Sequence, residues 1–472
     1  MEDYLDYVKI SNFCFQKVTE IILFAQIFGI LWVITGEETQ PESGRIFVLC
    51  AIFATSYTAG EICTFLNLPP LLGMLVGGLV IRNTSNITVH GPTSTLLRRL
   101  ALATILLRAG LGLNPTALRK LSAVCFRLAF TPCLIETITT ATTAKYLGGI
   151  PIQWGAMLGF TVAAVSPAVV VKSMLSLKEK RLGTDKGIPT LVIAAASMDD
   201  VLAITGYGIA FGFAFSQESQ TVAMELLKAP LEVAFGILIG TTVGFVLWLF
   251  PFSYDTDKET NALEGRQRLL LTIFFGMFML LLGAKYEVQG VGALGSLTMT
   301  FVAAMSWRKK KHDLSVDFGL KILWNLFEPF LFGLIGAEVI ITNLTLSSVT
   351  FSLVSLAIGL VMRCATVIVV CSGTDFNFKE KLFVSLAWLP KATVQAALGS
   401  VALDKVREMQ EEGDVAKEYF DYGTLILNYA VISIFVTAPL GALMIAVTAP
   451  ILLSKEEIEK QKSGSKIVIP DY

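Results

Sequence analysis

The chain has 472 residues, 54% of them hydrophobic and 16% charged, against roughly 25% charged in soluble domains. A mean hydropathy of +0.67 and a net charge of −1 with no basic face define an all-α polytopic membrane protein and exclude nucleic acid as a partner. The seven cysteines, Cys14, Cys50, Cys63, Cys125, Cys133, Cys364 and Cys371, lie mostly in apolar runs without a CxxC pair. They read as small buried hydrophobes, not as disulfides or metal ligands.

About fourteen helical spans follow along the chain. A β-barrel is excluded, because no alternating pattern occurs. The first, 18–36, is a membrane helix and not a cleavable leader: MEDYLDY before it is acidic and no small-residue cleavage site follows. The abrupt start points to a longer soluble tail ahead of it. Spans 45–66, 68–82 and 97–113 come next, the second carrying LPPLLGMLVGGLVI. Span 117–144 holds Glu136 at mid-depth, and 154–175 is interrupted by Ser166-Pro167. Span 188–214 holds Asp199-Asp200 near its middle. Spans 223–250, 268–284, 288–306 and 316–341 lead to 348–372, with Arg363 at mid-depth. Span 380–403 is interrupted at Pro390-Lys391, and 422–453 is the last.

Alternating these spans from a cytoplasmic N-terminus puts Lys172–Lys186, Arg308-Lys309-Lys310-Lys311 and the tail lysines 455, 460, 462 and 466 inside. About 22 Lys and Arg then fall inside and about 8 outside, which fixes the orientation. The acidic loop Asp404–Asp421 and the sequons at Asn83, Asn86 and Asn343 all fall outside. Both termini are expected in the cytoplasm.

Spans two to seven echo spans nine to fourteen, with span eight as connector. The glycines of 68–82 match those of 288–306, the break at Ser166-Pro167 matches Pro390-Lys391, and Glu136 matches Arg363. Corresponding spans run in opposite directions, the pattern of an inverted-repeat transporter with two crossing broken helices. Gly and Pro occur in any membrane helix, but three matches share one register.

Two adjacent carboxylates at the bilayer centre each cost about 2.5–3.5 kcal/mol on insertion scales, a burden carried mostly for ions or protons. Asp199 and Asp200 point about 100° apart on a helix, so one can line a cavity while the other meets a neighbour. A desolvated aspartate can hold either a proton or a small hard cation, which is sufficient for exchange with alternating access. The bland alternatives are a structural salt bridge or a place at the water boundary. Proline frees a carbonyl at each break, leaving half-helix ends at the midplane. Lys391, about ten residues into its helix and too deep to snorkel easily, would neutralise the negative ends there. Glu136 and Arg363 form a compensated, structural pair. Arg108, Glu61 and Glu338 lie near span ends in solvated or structural roles. His90 and His312 are in loops, so no histidine relay is available.

SMDD at Ser197–Asp200, VAAVSPA, LPPLLGMLVGG, the mid-helix Arg363 and LPKATVQAALG together resemble the monovalent cation/proton antiporter superfamily, most of all its NHA branch. These are the animal relatives of the bacterial NhaA and NapA exchangers. The resemblance runs from about Arg45 to Pro450, and the helix before Glu37 is similar to the extra N-terminal span of vertebrate NHA-type exchangers. It implies an NhaA-like fold and a homodimer whose protomers each have a dimerisation domain and a moving ion-transport domain. The implied division is 1–44 for the extra helix, 45–115 dimerisation, 116–215 first half of the core, 216–250 connector, 251–345 dimerisation, 346–453 second half of the core and 454–472 tail. Asp200 matches the aspartate that binds the cation, so Na⁺ or Li⁺ would sit there. Asp199 matches its partner. Arg363 stands where electrogenic relatives have a lysine, and Ser166 where an aspartate or threonine often precedes the proline. An arginine cannot cycle protons, so electroneutral one-for-one exchange of Na⁺ or Li⁺ against H⁺ is expected, with a part in pH regulation. No cofactor is called for. Residence is expected in the plasma, endosomal or mitochondrial membrane. A sodium-coupled symporter of an organic anion is the alternative, and its solute would need polar groups that the midplane hardly offers. An intramembrane aspartyl protease needs carboxylates converging from different helices, and a channel needs rings of charges or carbonyls.

Overall fold

The computed structural model describes residues 2–455, apart from 42–43, 67, 86, 88, 114–121, 216–221, 252–257, 287, 309–312 and 413–416. Lys309–Lys311, Asn86 and the tail lysines beyond 455 lie outside the described residues. The described residues form seventeen α-helices and no strand. Eleven helices or helix pairs are long and apolar enough to cross a membrane, and Pro70–Thr84 is a shorter apolar helix.

In chain order they are α1 (Glu2–Thr35), α2 (Arg45–Phe65), α3 (Pro70–Thr84), α4 (Gly91–Gly112), α5 (Ser122–Gly148) and α6 (Ile152–Ala163). Then come α7 (Pro167–Glu179), α8 (Ile188–Phe215), α9 (Val222–Leu249), α10 (Lys258–Lys285), α11 (Gln289–Trp307) and α12 (Asp313–Ala337). Last are α13 (Leu346–Val370), α14 (Phe378–Ala387), α15 (Thr393–Leu398), α16 (Val401–Glu412) and α17 (Lys417–Leu452).

Two groups of helices pack within themselves. Helix α12 lies on α2, α3 and α4, and α11 on α4, α9 and α10. In the other group α5 lies on α6, α8 and α13, while α17 covers α7, α14 and α16. A cluster containing Leu71, Leu75 and Ala101 of the first group and Ala392, Ala396 and Leu427 of the second joins them. The packing is close because glycines face backbone: Gly77 of α3 meets the Thr55–Ser56 backbone of α2, leaving no room for a β-carbon.

The two interruptions have local causes. Helix α6 stops at Ala163, and Ala164 (φ −65°, ψ 140°) and Ser166 (φ −79°, ψ 110°) are extended. Ser166 precedes a proline, which disfavours the helical region for it, and Pro167 then opens α7 from its first position. Helix α14 begins at a capping box, Asn377 with Glu380, and ends before Pro390.

Several boundaries differ from the sequence reading: α1 begins at Glu2 and α10 at Lys258, ahead of the expected 18 and 268, and three charged segments fold otherwise than expected. The span expected at 380–403 is split into α14 and α15, with α16 starting at Val401. The expected acidic loop 404–421 is mostly helix, α16 and the start of α17; Asp404 pairs with Arg98 of α4 and Arg407 with Glu338 just past α12. The basic stretch Lys172–Lys186 is helical as far as Glu179. The sequon residue Asn83 is committed to structure: its amide donates to Leu79 and Val339 carbonyls and its oxygen accepts from Ile341 N–H.

Candidate ion site at the crossing of two broken helices

The two interruptions meet. Ser166 N–H donates to the Pro390 carbonyl at 2.8 Å, so the extended link between α6 and α7 lies against the link between α14 and α15. Ser166 itself is fully buried. Lys391 N–H donates to Thr437 Oγ1 of α17 at 3.0 Å, which anchors the second link from behind.

Four charged side chains fill the space beside this crossing, none more than 1% exposed. The Arg363 guanidinium reaches from α13 to Glu136 Oε2 on α5 at 2.5 Å and to Asp199 Oδ2 on α8 at 2.8 Å. It also donates to the Trp388 carbonyl at 3.1 Å and to the Ala163 carbonyl. Lys391 Nζ lies 2.8–2.9 Å from both oxygens of Glu136. Asp199 Oδ2 accepts a further bond from Val165 N–H at 2.8 Å. Two cations and two anions thus balance, and the hydrogen bonds supply the geometry that a buried pair requires.

Asp200 is different. It is 1% exposed, and neither carboxylate oxygen has a partner among the described residues. One turn of geometry explains why: adjacent residues diverge on a helix, so with Asp199 turned to Arg363, Asp200 faces elsewhere. Buried oxygens without a partner on the two links or the helices beside them include Asp199 Oδ1, Ser166 Oγ and Thr393 Oγ1. These are oxygen donors, the type that hard monovalent cations take. Among the described residues no cluster of His, Cys, Asp and Glu fit for a resident metal occurs.

Of the residues singled out in the sequence, the structure gathers Asp199, Glu136, Arg363 and Lys391 into one network, with the Ser166-Pro167 and Pro390-Lys391 links against it. Lys391 corrects an expectation. Its ammonium does not serve the negative helix ends; it takes Glu136, and Arg363 takes the Ala163 carbonyl at the end of α6. The longer, planar guanidinium can bond several acceptors at once, which the ammonium on its stem cannot reach as a fork.

Sequence reasoning missed two features. Gln395 of α15 is fully buried and donates to the Thr161, Val162 and Ala164 carbonyls. A glutamine five residues beyond the Pro390 break in an apolar run was the available signal. Outside the crossing, Arg98 pairs with Asp404 at 2.6 Å and with Glu338 at 3.4 Å, and Arg407 with Glu338 at 2.9 Å. Burial pushes the Asp404 carboxyl above its ordinary value, although Arg98 opposes this. A cavity of about 1410 Å³ opens beside this cluster and extends inward to Ile204 and Leu398, one helical turn from Asp200 and from Gln395.

A membrane-embedded helical fold with two interrupted helices crossing at buried carboxylates defines the class of ion-coupled secondary transporters. The transmembrane sodium/hydrogen exchanger family model matches residues 48–449. The chain is 42% identical over 456 residues to sodium/hydrogen exchanger 9B2 of Xenopus tropicalis, covering 94% of this chain and 81% of that protein. Against human sodium/hydrogen exchanger 9B2 the values are 41% over 452 residues, 94% and 81%. Human sodium/hydrogen exchanger 9B1 is 39% identical over 445 residues, covering 92% and 83%. The solved sodium proton antiporter MjNhaP1 of Methanocaldococcus jannaschii superposes with a TM-score of 0.69 at 19% identity, over 86% of this chain and 97% of that one, which speaks for the fold. The chain therefore belongs to the sodium/hydrogen exchanger family of the monovalent cation/proton antiporter superfamily. It is a multi-pass membrane transporter and not an enzyme. The organic-anion symporter finds no support in these likenesses.

Proposed function

We propose that the chain exchanges Na⁺ or Li⁺ for H⁺ by alternating access, with cation and proton competing for Asp200. The observation that carries this is the buried, unpartnered Asp200 carboxylate beside a network already balanced in charge. An ionised carboxylate held without a partner in a desolvated place is too costly to persist. It must be neutralised, and one monovalent charge is sufficient. A proton and a sodium ion each supply that one charge, so occupancy by either leaves the core with the same total. The same arithmetic favours electroneutral one-for-one exchange. Arg363 stays charged throughout and cannot add a second proton to the cycle.

Movement follows from the two helix groups. The cavity that reaches Ile204 and Leu398 from the outer end supports access from that side, and a rocking of α5–α8 and α13–α17 against α2–α4 and α9–α12 would close it. The paired breaks support the inverted repeat and the fourteen-span count. Gly183 N–H donates to the Ser454 carbonyl at 2.8 Å, so the basic 180–187 loop and the start of the tail share one face. This supports cytoplasmic termini. The homodimer, the division into dimerisation and transport domains and the membrane of residence rest on the family resemblance.

The test is dissipation of a pH gradient in proteoliposomes across Li⁺, Na⁺ and K⁺, with Asp200→Asn as control. Exchange that needs Asp200 and runs at the same rate under an imposed membrane potential is the expected result. Net cation uptake driven by that potential would overturn the one-for-one stoichiometry.

A further inference from the structure

Helix α6 ends inside the protein, so the carbonyls of residues 161–164 have no helical partners of their own. All four are nevertheless bonded. Gln395 Nε2 donates to Ala164 at 2.9 Å, to Thr161 at 3.1 Å and, more weakly, to Val162 at 3.4 Å. Arg363 takes the Ala163 carbonyl. The orientation of the glutamine amide is fixed by this company, since its oxygen turned towards three carbonyl oxygens would be repelled.

One of these bonds has a special partner. The Ala164 carbonyl and the Val165 N–H belong to a single peptide unit, which is rigid and planar. Its oxygen accepts from Gln395, and its N–H donates to Asp199 Oδ2 at 2.8 Å. The unit is therefore clamped at both ends. Gln395 is held on α15 just past the Pro390-Lys391 link, and Asp199 on α8. The two links are already tied by Ser166 N–H and the Pro390 carbonyl. A second tie thus runs from one broken helix, through one peptide of the other, to the first aspartate.

We propose that Gln395 is a positioning residue of the exchange site: it fixes the Ala164–Val165 peptide and through it the Asp199 carboxylate, and so sets the apparent affinity for the cation at Asp200. The inference rests on the reading of Asp199-Asp200 as that site. A neutral amide suits the task. It satisfies the negative end of α6 without adding a charge to a balanced network. It also removes the Thr161, Val162 and Ala164 carbonyls from the set of oxygens a cation could take, leaving Asp200 to bind it. The cation is then bound by a group that a proton can also occupy, as exchange requires.

Gln395→Met keeps the volume of the side chain and loses the donors. In proteoliposomes the half-saturating Na⁺ concentration should rise about tenfold, the loss expected for one well-placed hydrogen bond. The maximal rate should change less than about twofold, since the loss falls on ground-state binding. The Na⁺ concentration that half-maximally raises the melting temperature of the purified protein should move by the same factor. A residue that merely fills space would leave both unchanged in the methionine variant. Gln395→Asn, with a shorter amide that still donates, covers the case in which the methionine chain does not fold, and should give a smaller rise. Wild-type half-saturation in the folded Gln395→Met chain, or in Gln395→Asn where only that folds, overturns the proposal, as does a lower one. Asp200→Asn is measured alongside. If it exchanges normally, the site reading falls and this inference with it; if it is inactive while the Gln395 variants match wild type, only the inference falls.

Discussion

Two charge clusters among the described residues each set two cations against an aspartate and a glutamate, and they differ in burial and in what lies beside them. In the outer cluster, away from the crossing, Arg98 and Arg407 balance Glu338 and Asp404. At the crossing, Arg363 and Lys391 balance Glu136 and Asp199. The outer four are 3–39% exposed, and the inner four at most 1%. Beside the inner cluster lies a further carboxylate, Asp200, with no partner among the described residues. Both balanced sets tie helices together; the surplus carboxylate beside one of them is what the proposed exchange at Asp200 rests on.

The largest expected effect falls on the surplus charge. Asp200→Asn should abolish exchange and leave folding intact, because it removes a charge that no described residue compensates. The measurement is transport in proteoliposomes beside a melting curve. A melting temperature well below wild type would mean that Asp200 has a structural partner after all, and the contrast between the clusters would lose its basis.

Next comes Arg363, which belongs to the balanced part. Arg363→Ala leaves Glu136 and Asp199 facing Lys391 alone, one negative charge in excess at full burial. Breaking such a pair costs about 3–5 kcal/mol, read as a lower yield of folded protein and a lower melting temperature. Adding Glu136→Gln restores the balance, with Lys391 against Asp199, and should recover part of the loss. A double variant no better than the single would show that Glu136 and Arg363 do not share one balance.

Much of the inner site could be read from the chain. Asp199-Asp200, Glu136 and Arg363 stood out because charge is rare in apolar runs, and Ser166-Pro167 and Pro390-Lys391 because proline stops a helix. The partners were harder. Arg363 was assigned to Glu136, yet it also bonds Asp199, Trp388 and Ala163, and its reach depends on where α14 ends. Lys391 was placed on helix ends, but the position of Glu136 decides otherwise. Gln395 carried only a polar name in an apolar run; its role depends on carbonyls some 230 positions earlier in the chain. The outer cluster was lost for a related reason. Arg98, Glu338 and Asp404 lie at the ends of expected spans, where charge is ordinary, and α16 was taken for a loop because its sequence is polar.

The outer cluster should yield smaller effects. Arg98→Ala removes bonds to Ser94, Glu338 and Asp404, but the two carboxylates keep Arg407 and are 10% and 14% exposed. Water can reach them, so the cost should stay near the 1–3 kcal/mol of an unsatisfied polar group, and Na⁺-dependent exchange should remain. Loss of exchange without loss of stability would move the outer cluster from structure into transport.

The smallest effect is a dependence on pH. Asp404 has an ordinary carboxyl value of 3.8, which burial raises in spite of the nearby Arg98 guanidinium. In the window between the unfolded value and the raised folded one, the folded chain binds more protons than the unfolded chain. The contribution of Asp404 to stability is thus fully present below the unfolded value and is lost as pH rises through the folded one. Acidification from pH 7.5 towards 4, close to the unfolded value, should stabilise wild type relative to Asp404→Asn, whose amide does not titrate. Melting temperatures of the two proteins, taken at both pH values in detergent, give the difference directly. A relative loss for wild type on acidification would mean that the Arg98 ion pair outweighs burial at Asp404.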